Sequence, residues 1–246
     1  MNIILEIGLN HIGSIHKLNQ ILNNLCILKF KFSLTLQLID QNFFIKNKIS
    51  SYYLPEKILL KKLYNFKKRT SNHIGIATNY KVEFSLLSKY KIDFIKILSS
   101  NFDDQDLIDY YLKNSFKTYI STGKISTNNI IQKHNNFKKK YQKLSSFIIT
   151  DFNNKPNQLG FEKINKLRQN NISKISYGIH YENSFPGYLS SLMCLDNLFI
   201  YIKPKEKFNY PDNLHALKIN SLNRFYEEIV YSKKILKEIN FKWLKK

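Results

Sequence analysis

Charged and hydroxyl side chains recur where the short apolar runs of this sequence end. Glu6 and Lys96 each lie between apolar neighbours, where an unpaired charge would destabilise a core. Lysines neutralise anionic groups and hydroxyls donate hydrogen bonds, whereas carboxylates are few in this set. The inventory therefore indicates a pocket for a phosphate and a carboxylate rather than a metal cage. The candidates are Glu6, Asn10, His11, Lys29, Lys31, Thr78, Asn79, Lys96, Ser99, Ser100, Ser121, Thr122, Gly123, the range 151–154, His180 and Glu182.

The elements that must position these residues alternate between strands and helices. The run Ile3–Ile7 ends at Gly8, and a stripe of leucine and isoleucine follows at helical spacing, with Ser14 as its expected N-cap. The same alternation returns along the chain and makes about eight strand-helix units. The predicted strands are 3–7, 27–32, 73–78, 93–98, 118–121, 146–150, 175–179 and 198–202. The later helices are expected at 56–66, 82–90, 104–112, 127–137, 158–167 and 188–195, with a last one from Leu222 to Leu236.

Strands separated by helices form a parallel sheet with the helices packed outside it. Eight such units in 246 residues predict an α/β fold, a single (β/α)8 TIM barrel over residues 1–246. An open doubly wound sheet is the alternative, although no GxGxxG or GxxxxGK[ST] loop follows any strand. In a barrel the reacting groups lie at the carboxyl ends of the strands, which is where the candidates fall.

Polar and apolar residues alternate strictly from Lys29 to Leu38. A period of two predicts a strand with two chemically different faces. Two interpretations stay open: an exposed edge strand, or a barrel strand whose polar side chains point into a site. The range 40–55 is then a long connection.

Composition narrows the class of protein. A hydrophobic fraction of 43% predicts a globular chain, and a net charge of +21 favours anionic partners without choosing among them. Nucleic acid is the disfavoured partner, because no stacking platform or basic recognition helix is seen. Cys26 and Cys194 lie far apart and outside any CxxC motif, which fits a reducing cytoplasm. No signal segment or spanning run is recognised, so we expect a cytoplasmic protein that does not span the membrane.

The residues Glu6–Gly13, EIGLNHIG, resemble the opening E-I-G-x-N-H-x-G of the sialic acid synthase (N-acetylneuraminate synthase) family. Further matches follow in chain order over most of the sequence. They are Lys29-Phe30 with the K-F-Q of the family, Ala77-Thr78 with its S-T, residues 94–99 with its F-K-I-x-S, residues 121–123 with its S-T-G, and Pro211-Asp212 with its P-D.

This resemblance implies a TIM barrel that condenses phosphoenolpyruvate with an N-acetylated amino sugar to form a nonulosonic acid, assisted by Mn²⁺ or Mg²⁺. C3 of phosphoenolpyruvate attacks the sugar aldehyde, water adds at C2 and phosphate leaves. The roles carried over by resemblance are catalytic for Glu6 and Lys96, and substrate-binding for Lys29, Thr78, Ser99, Ser121, Asn154 and Asp212. Glu6 and Asp212 are expected to face the sugar, and the other residues phosphoenolpyruvate.

The sequence departs from the family at its metal ligands. Glu182 stands where the first metal histidine belongs and Lys203 where the second belongs; His180 can replace the first if the strand slips. We therefore assign His180 and Glu182 as the expected metal ligands. The family's C-terminal antifreeze-like domain, which supplies an arginine to the active site, is expected to be absent from the 246 residues. A homodimer and a partner chain both stay open. The alternative function is a barrel that has lost catalysis and binds a sugar or a partner.

Overall fold

Eight parallel strands form a closed barrel with helices around it. The computed structural model describes residues 1–141, 144–150, 160–180, 185–204 and 210–239. The strands lie side by side in chain order, and β1 pairs with both β2 and β8. That closure confirms the predicted (β/α)8 barrel and excludes the open sheet.

The strands are β1 (Asn2–Ile7), β2 (Ser33–Leu38), β3 (His73–Thr78), β4 (Phe94–Ile97), β5 (Lys117–Ser121), β6 (Leu144–Thr150), β7 (Ile175–Ile179), β8 (Asn197–Lys203) and β9 (Ala216–Lys218), the last pairing with β8 outside the closed barrel. The helices are α1 (Ile15–Leu25), α2 (Gln41–Lys46), α3 (Glu56–Thr70), α4 (Phe84–Lys89), α5 (Gln105–Lys113), α6 (Thr127–Lys140), α7 (Phe161–Gln169), α8 (Phe185–Leu192) and α9 (Leu222–Ile239). None of the described helices is long and apolar enough to cross a membrane.

Helix α1 forms where the spacing predicts it. The Ser14 side chain accepts a hydrogen bond from the Lys17 N–H and so caps the first turn. The stripe of Leu18, Ile21, Leu22 and Leu25 is buried against the barrel. Both predictions for this helix are confirmed.

The barrel interior is filled by side chains from neighbouring strands and from strands on opposite sides of it. Tyr119 of β5 contacts the Phe199 ring of β8, with the ring centroids 5.2 Å apart, and Phe94 of β4 lies 5.6 Å from Tyr119. Gly75 leaves room for Phe94, because a Cβ there would lie 2.3 Å from the ring. These contacts establish which faces of β3, β4, β5 and β8 point inward, and they make the interior a packed core rather than a channel.

The prediction of a second strand at 27–32 is wrong. Strand β2 is Ser33–Leu38, and its position is set by pairing from Ile4 with Ser33 to Ile7 with Leu36. Phe30 precedes the strand and stacks on Tyr226 of α9, with the ring centroids 4.4 Å apart. Of the two open interpretations, the barrel strand is therefore the right one. The predicted long connection after it contains the short helix α2.

Candidate functional site

A buried ion pair crosses the barrel interior near the carboxyl ends of the strands, an end called the mouth from here on. Lys96 Nζ lies 2.7 Å from Glu6 Oε1 and 2.6 Å from Oε2. The side chains are 2% and 0% exposed. Strands β1 and β4 are not neighbours, so this contact spans the interior. The two charges that the sequence places in apolar runs therefore compensate each other.

Aromatic rings of β8 surround this pair. Lys96 Nζ lies 5.3 Å from the ring centroids of both Phe199 and Tyr201. Burial, then the Glu6 and Asp212 charges, raise the Tyr201 pKa well above its ordinary value. Tyr201 is thus a neutral hydroxyl near the Glu6 carboxylate.

Asp212 joins the loop after β1 to the segment after β8. Its Oδ2 accepts a hydrogen bond from the Leu9 N–H at 3.0 Å, and its own N–H donates to Asn10 Oδ1 at 3.1 Å. Asn10 also donates to the Ile202 carbonyl at 2.8 Å. A Cβ at Gly8 would lie 2.2 Å from Asp212 Oδ2, which explains a glycine there. Burial, with the nearby Glu6 charge, raises the Asp212 pKa to about 6.

His11 holds the β1–α1 loop. Its Nδ1 accepts the Gly13 N–H at 3.1 Å, and burial lowers its pKa to about 4. The ring borders a cavity of about 10 Å³ that is also lined by Gln37, Glu56 and Tyr80. Gly13 adopts a φ of +69°, and a Cβ there would lie 1.9 Å from the Ser51 carbonyl oxygen.

His180 follows β7 directly and packs edge-on against Tyr201, with the ring centroids 4.9 Å apart. Burial, together with the positive charges of Lys96 and His215, lowers the His180 pKa to about 3, so the ring is neutral. The His215 ring centroid lies 5.8 Å away. His180 thus lies within the influence of the Lys96 charge.

The donors among the described residues do not fit a divalent cation. Within those ranges, no three His, Cys, Asp or Glu side chains are grouped so as to hold a metal ion. Glu182, the second expected ligand, lies outside the described residues, as does Asn154. Lys203 ends β8 with its side chain buried, and an ammonium cannot ligate a metal.

The predicted hydroxyl groups separate into two sets. Ser121 is buried two residues beyond Tyr119, so strand alternation places it on the inward face of β5 at the mouth. Ser99 is half-buried just after β4. Thr78 does not face the interior. Gly75 is on the inward face of β3, so Ile76 and Thr78 lie on the opposite face, and Thr78 Oγ1 donates to the Tyr80 carbonyl at 3.1 Å. The expected substrate contact of Thr78 is therefore replaced by a turn contact.

Lys29 is not brought to the site, which corrects the role carried over from the K-F-Q match. Lys29 and Lys31 are exposed and precede β2, so they lie at the amino end of the barrel, opposite the mouth. The Lys29 N–H donates to Asn223 of α9 at 3.0 Å. The residues of β2 that lie near the mouth are 35–37, with the sequence TLQ. Of the K-F-Q motif, this triplet has only the glutamine.

Hydroxyl groups inside the barrel are paired at the amino end, and two of them are unpaired nearer the mouth. At the amino end, Ser146 Oγ lies 2.6 Å from Ser176 Oγ, which also accepts from Asn197 at 2.9 Å. Nearer the mouth, the hydroxyls of Thr35 and Thr150 are buried without a hydrogen-bond partner among the described residues. Orphaned buried hydroxyls call for an unseen partner such as a ligand or a water. The sequence reasoning did not single out either threonine, or Tyr201.

Comparison with solved structures gives the same architecture. An N-acetylneuraminic acid (sialic acid) synthetase from Leptospira borgpetersenii superposes with a TM-score of 0.81 over 95% of this chain and 84% of its own, at 17% identity. The chain has the barrel fold of the sialic acid synthases. Spore coat polysaccharide biosynthesis proteins E share this synthase barrel. The one from Chromobacterium violaceum has a TM-score of 0.79 and 16% identity over 96% of this chain and 76% of its own. The one from Bacillus subtilis has a TM-score of 0.75 and 13% identity over 96% of this chain and 69% of its own.

Comparisons of the sequence alone give no match that would assign an activity. No protein-family model matches the chain, and no curated protein matches it in sequence. At these identities the structural likeness establishes the synthase barrel alone, and activity must be argued from the site.

Proposed function

We propose that this chain is a sialic acid synthase-like enzyme of carbohydrate biosynthesis that condenses phosphoenolpyruvate with an N-acetylated amino sugar. The observation that carries the proposal is the convergence of two motifs. Glu6 of the E-I-G-x-N-H-x-G match and Lys96 of the F-K-I-x-S match are paired inside the barrel. Asp212 of the P-D match hydrogen-bonds the loop that follows Glu6.

The proposed reaction joins C3 of phosphoenolpyruvate to the aldehyde carbon of the open-chain sugar. The aldehyde oxygen takes up a proton, water adds at C2, and the bond from C2 to the phosphate oxygen breaks to release phosphate. An ammonium has three N–H donors, so Lys96 can keep both Glu6 oxygens and offer its third N–H to the anion. Ser121 adds a hydroxyl from the inward face of β5. Fixed donors of this kind orient a small anionic substrate.

Titration calorimetry with phosphoenolpyruvate tests the first requirement. We expect heat from the native protein and weaker binding by Ser121→Ala, which removes one hydroxyl without leaving a buried charge. Phosphate release that depends on an N-acetylated amino sugar, with a 2-keto acid as product, tests turnover. Absence of heat at millimolar phosphoenolpyruvate would remove the proposal.

A barrel that binds a sugar or partner without catalysis is the second candidate. Two observations favour it: Lys29 lies at the amino end, and the charge of Lys96 is already compensated by Glu6. This candidate predicts sugar binding without sugar-dependent phosphate release. Light scattering separates a homodimer from a monomer that waits for a partner chain.

The divalent cation is not carried into the proposed reaction. His180 is the described member of the expected ligand pair, and Lys203 brings positive charge to the same end of the barrel. No step is assigned to Mn²⁺ or Mg²⁺, and the cytoplasmic location stays a prediction.

A further inference from the structure

We propose that the groove between α1 and α3, on the outer flank of the barrel, binds a small molecule that carries two linked phosphate groups. The groove is a cavity of about 400 Å³, a volume within the range of small-molecule pockets. It lies outside the barrel interior, so the inference goes beyond the proposed function and does not depend on it. The polar residues that line the groove are Asn19, Asn23, Lys62, Asn65, Lys68 and Arg69.

Helical spacing brings most of the lining to one face of each helix. On α3 the lining positions 62, 65, 66 and 69 follow the spacing i, i+3, i+4 and i+7, and on α1 the positions 19, 22 and 23 follow i, i+3 and i+4. The apolar members of the two sets, Leu22 and Phe66, are buried and belong to the hydrophobic core beneath. The groove thus has an apolar floor and a rim of amide and cationic side chains.

The cations of the groove have no carboxylate partner. Among the described residues, Lys62, Lys68 and Arg69 form no ion pair, and no acidic side chain lines the cavity. Helix α1 contains no acidic residue, and the acidic residue of α3, Glu56, lies in its first turn. The two helices that form the groove therefore leave its positive charge uncompensated.

The end of α3 does not account for all of this charge. Cations in the last turn of a helix interact with its free carbonyls and its dipole, which explains Lys68 and Arg69. Lys62 lies about two turns earlier and is half-buried. By contrast, the neighbouring Lys67 is paired with Asp93 at 2.7 Å. The charge of Lys62 favours an anion that is not part of these helices.

Two of the cations are held in place by contacts that leave most of their donors free. Arg69 Nη1 donates to Asn23 Oδ1 at 2.9 Å, which links α3 to α1. This bond uses one of the five guanidinium N–H groups and turns the NH₂ group of Asn23 away from Arg69, free to donate. Lys68 Nζ lies 4.5 Å from the ring centroid of Tyr64. Donors that are ordered before binding lose less conformational entropy when a ligand arrives.

The donor set matches the chemistry of phosphate. Ammonium, guanidinium and amide NH₂ groups donate, and ionised phosphate oxygens accept, with Arg suited to two parallel hydrogen bonds. A phosphate ester carries a charge of about −1.5 to −2 at neutral pH, so a single group does not balance three cations, whereas two linked groups do. The class of ligand is therefore a diphosphate, of which inorganic pyrophosphate is the simplest member.

Titration calorimetry with inorganic pyrophosphate, in buffer of about 0.15 M ionic strength, tests the site. Asn23→Asp places a carboxylate beside Arg69, so we expect binding to weaken by about tenfold or more. The matched control is Asn24→Asp, which adds the same charge to an exposed position of α1 outside the groove and should change the affinity by less than about twofold. Lys62→Met should weaken binding by about threefold or more, with the exposed Lys61→Met as its control.

The outcomes distinguish the groove from the mouth and from general charge attraction. Ser121→Ala, which alters the mouth, should leave the affinity for pyrophosphate unchanged, and a loss there larger than in Asn23→Asp would overturn the site. Equal losses in Asn23→Asp and Asn24→Asp would overturn it as well, because they would report net charge alone. So would unchanged binding by Lys62→Met, or no heat from the native protein.

An RNA oligonucleotide provides the comparison with a polymer. We expect its affinity to respond equally to Asn23→Asp and Asn24→Asp, because scattered lysines attract a polyanion without using the groove. If the oligonucleotide distinguishes the two variants and pyrophosphate does not, the groove takes a nucleic-acid backbone and the small-molecule class is overturned. None of these results changes the test of phosphoenolpyruvate condensation.

Discussion

The Lys96 ammonium contacts both carboxylate oxygens of Glu6 across the barrel interior, although 90 residues separate them in the chain. Each contributes a charge that would be costly to bury alone. The pair links β1 to β4 beneath the mouth, and Lys96 also lies over the Phe199 and Tyr201 rings of β8.

Removal of one partner should be far worse than removal of both. Lys96→Met leaves the Glu6 carboxylate buried without its ammonium, and we expect the free energy of unfolding to fall by about 3–5 kcal/mol. The double variant Glu6→Gln with Lys96→Met should regain most of that loss. Urea unfolding measures both, with the exposed Lys31→Met as control. Equal effects at Lys96 and Lys31 would contradict the buried pair.

Lys29 should be dispensable for anion binding. Because it lies at the amino end of the barrel, Lys29→Ala should change the affinity for phosphoenolpyruvate by less than about twofold, as expected for a distant and independent site. Ser121→Ala, measured in the same titrations, should weaken binding. A larger effect at Lys29 than at Ser121 would restore the role implied by the K-F-Q match.

Gly75→Ala should overpack the barrel interior. The new Cβ would lie 2.3 Å from the Phe94 ring, and overpacking costs about 1–3 kcal/mol of unfolding free energy. The loss should be smaller when the same change is made on a Phe94→Leu background, which provides the control. Equal losses on both backgrounds, measured in urea, would show that the ring is not what the Cβ meets.

Asp212 should make a pH-dependent contribution to stability. Its pKa in the folded protein is raised to about 6, so between about pH 4 and pH 6 the folded state binds more protons than the unfolded state. Unfolding free energy from this group is therefore highest at low pH and falls as pH rises through that window. The stability of the native protein minus that of Asp212→Asn should decrease by about 2 kcal/mol from pH 4 to pH 7, as a pKa raised from 3.8 to about 6 implies. An increase in that difference would contradict the raised pKa.

Strand positions were predictable where apolar runs have clear borders. Both β3 and β7 coincide with their predicted ranges, because polar residues flank each run.

The start of β2 was not predictable in this way, because the alternation begins before the strand. Phe30 and Phe32 are buried and Lys29 and Lys31 are exposed, with the same period of two as the strand itself. The pairing with β1 decides where β2 begins, and a local sequence pattern does not predict which residues of two distant strands pair.

The candidate site was predictable where a residue type conflicts with its surroundings. Glu6 and Lys96 are charges within apolar runs, so the sequence alone indicates a special role. Tyr201 and Thr150 are ordinary strand residues by type, and their roles arise from the parity that barrel closure imposes. The role expected of Lys29 is wrong because Lys29-Phe30, the residues that match the K-F-Q motif, precede β2, whereas residues 35–37 are the ones that reach the mouth.

Pairing of β1 with β8 has a consequence for biosynthesis. Asn2 to Glu6 pair with Asn197 to Tyr201, so during translation the first strand keeps one edge open until almost the whole barrel has left the ribosome. Unsatisfied edges of that kind recruit strands from neighbouring nascent chains, and contacts so distant in sequence form slowly. Fragments that stop short of β8 should therefore accumulate in inclusion bodies or on chaperones.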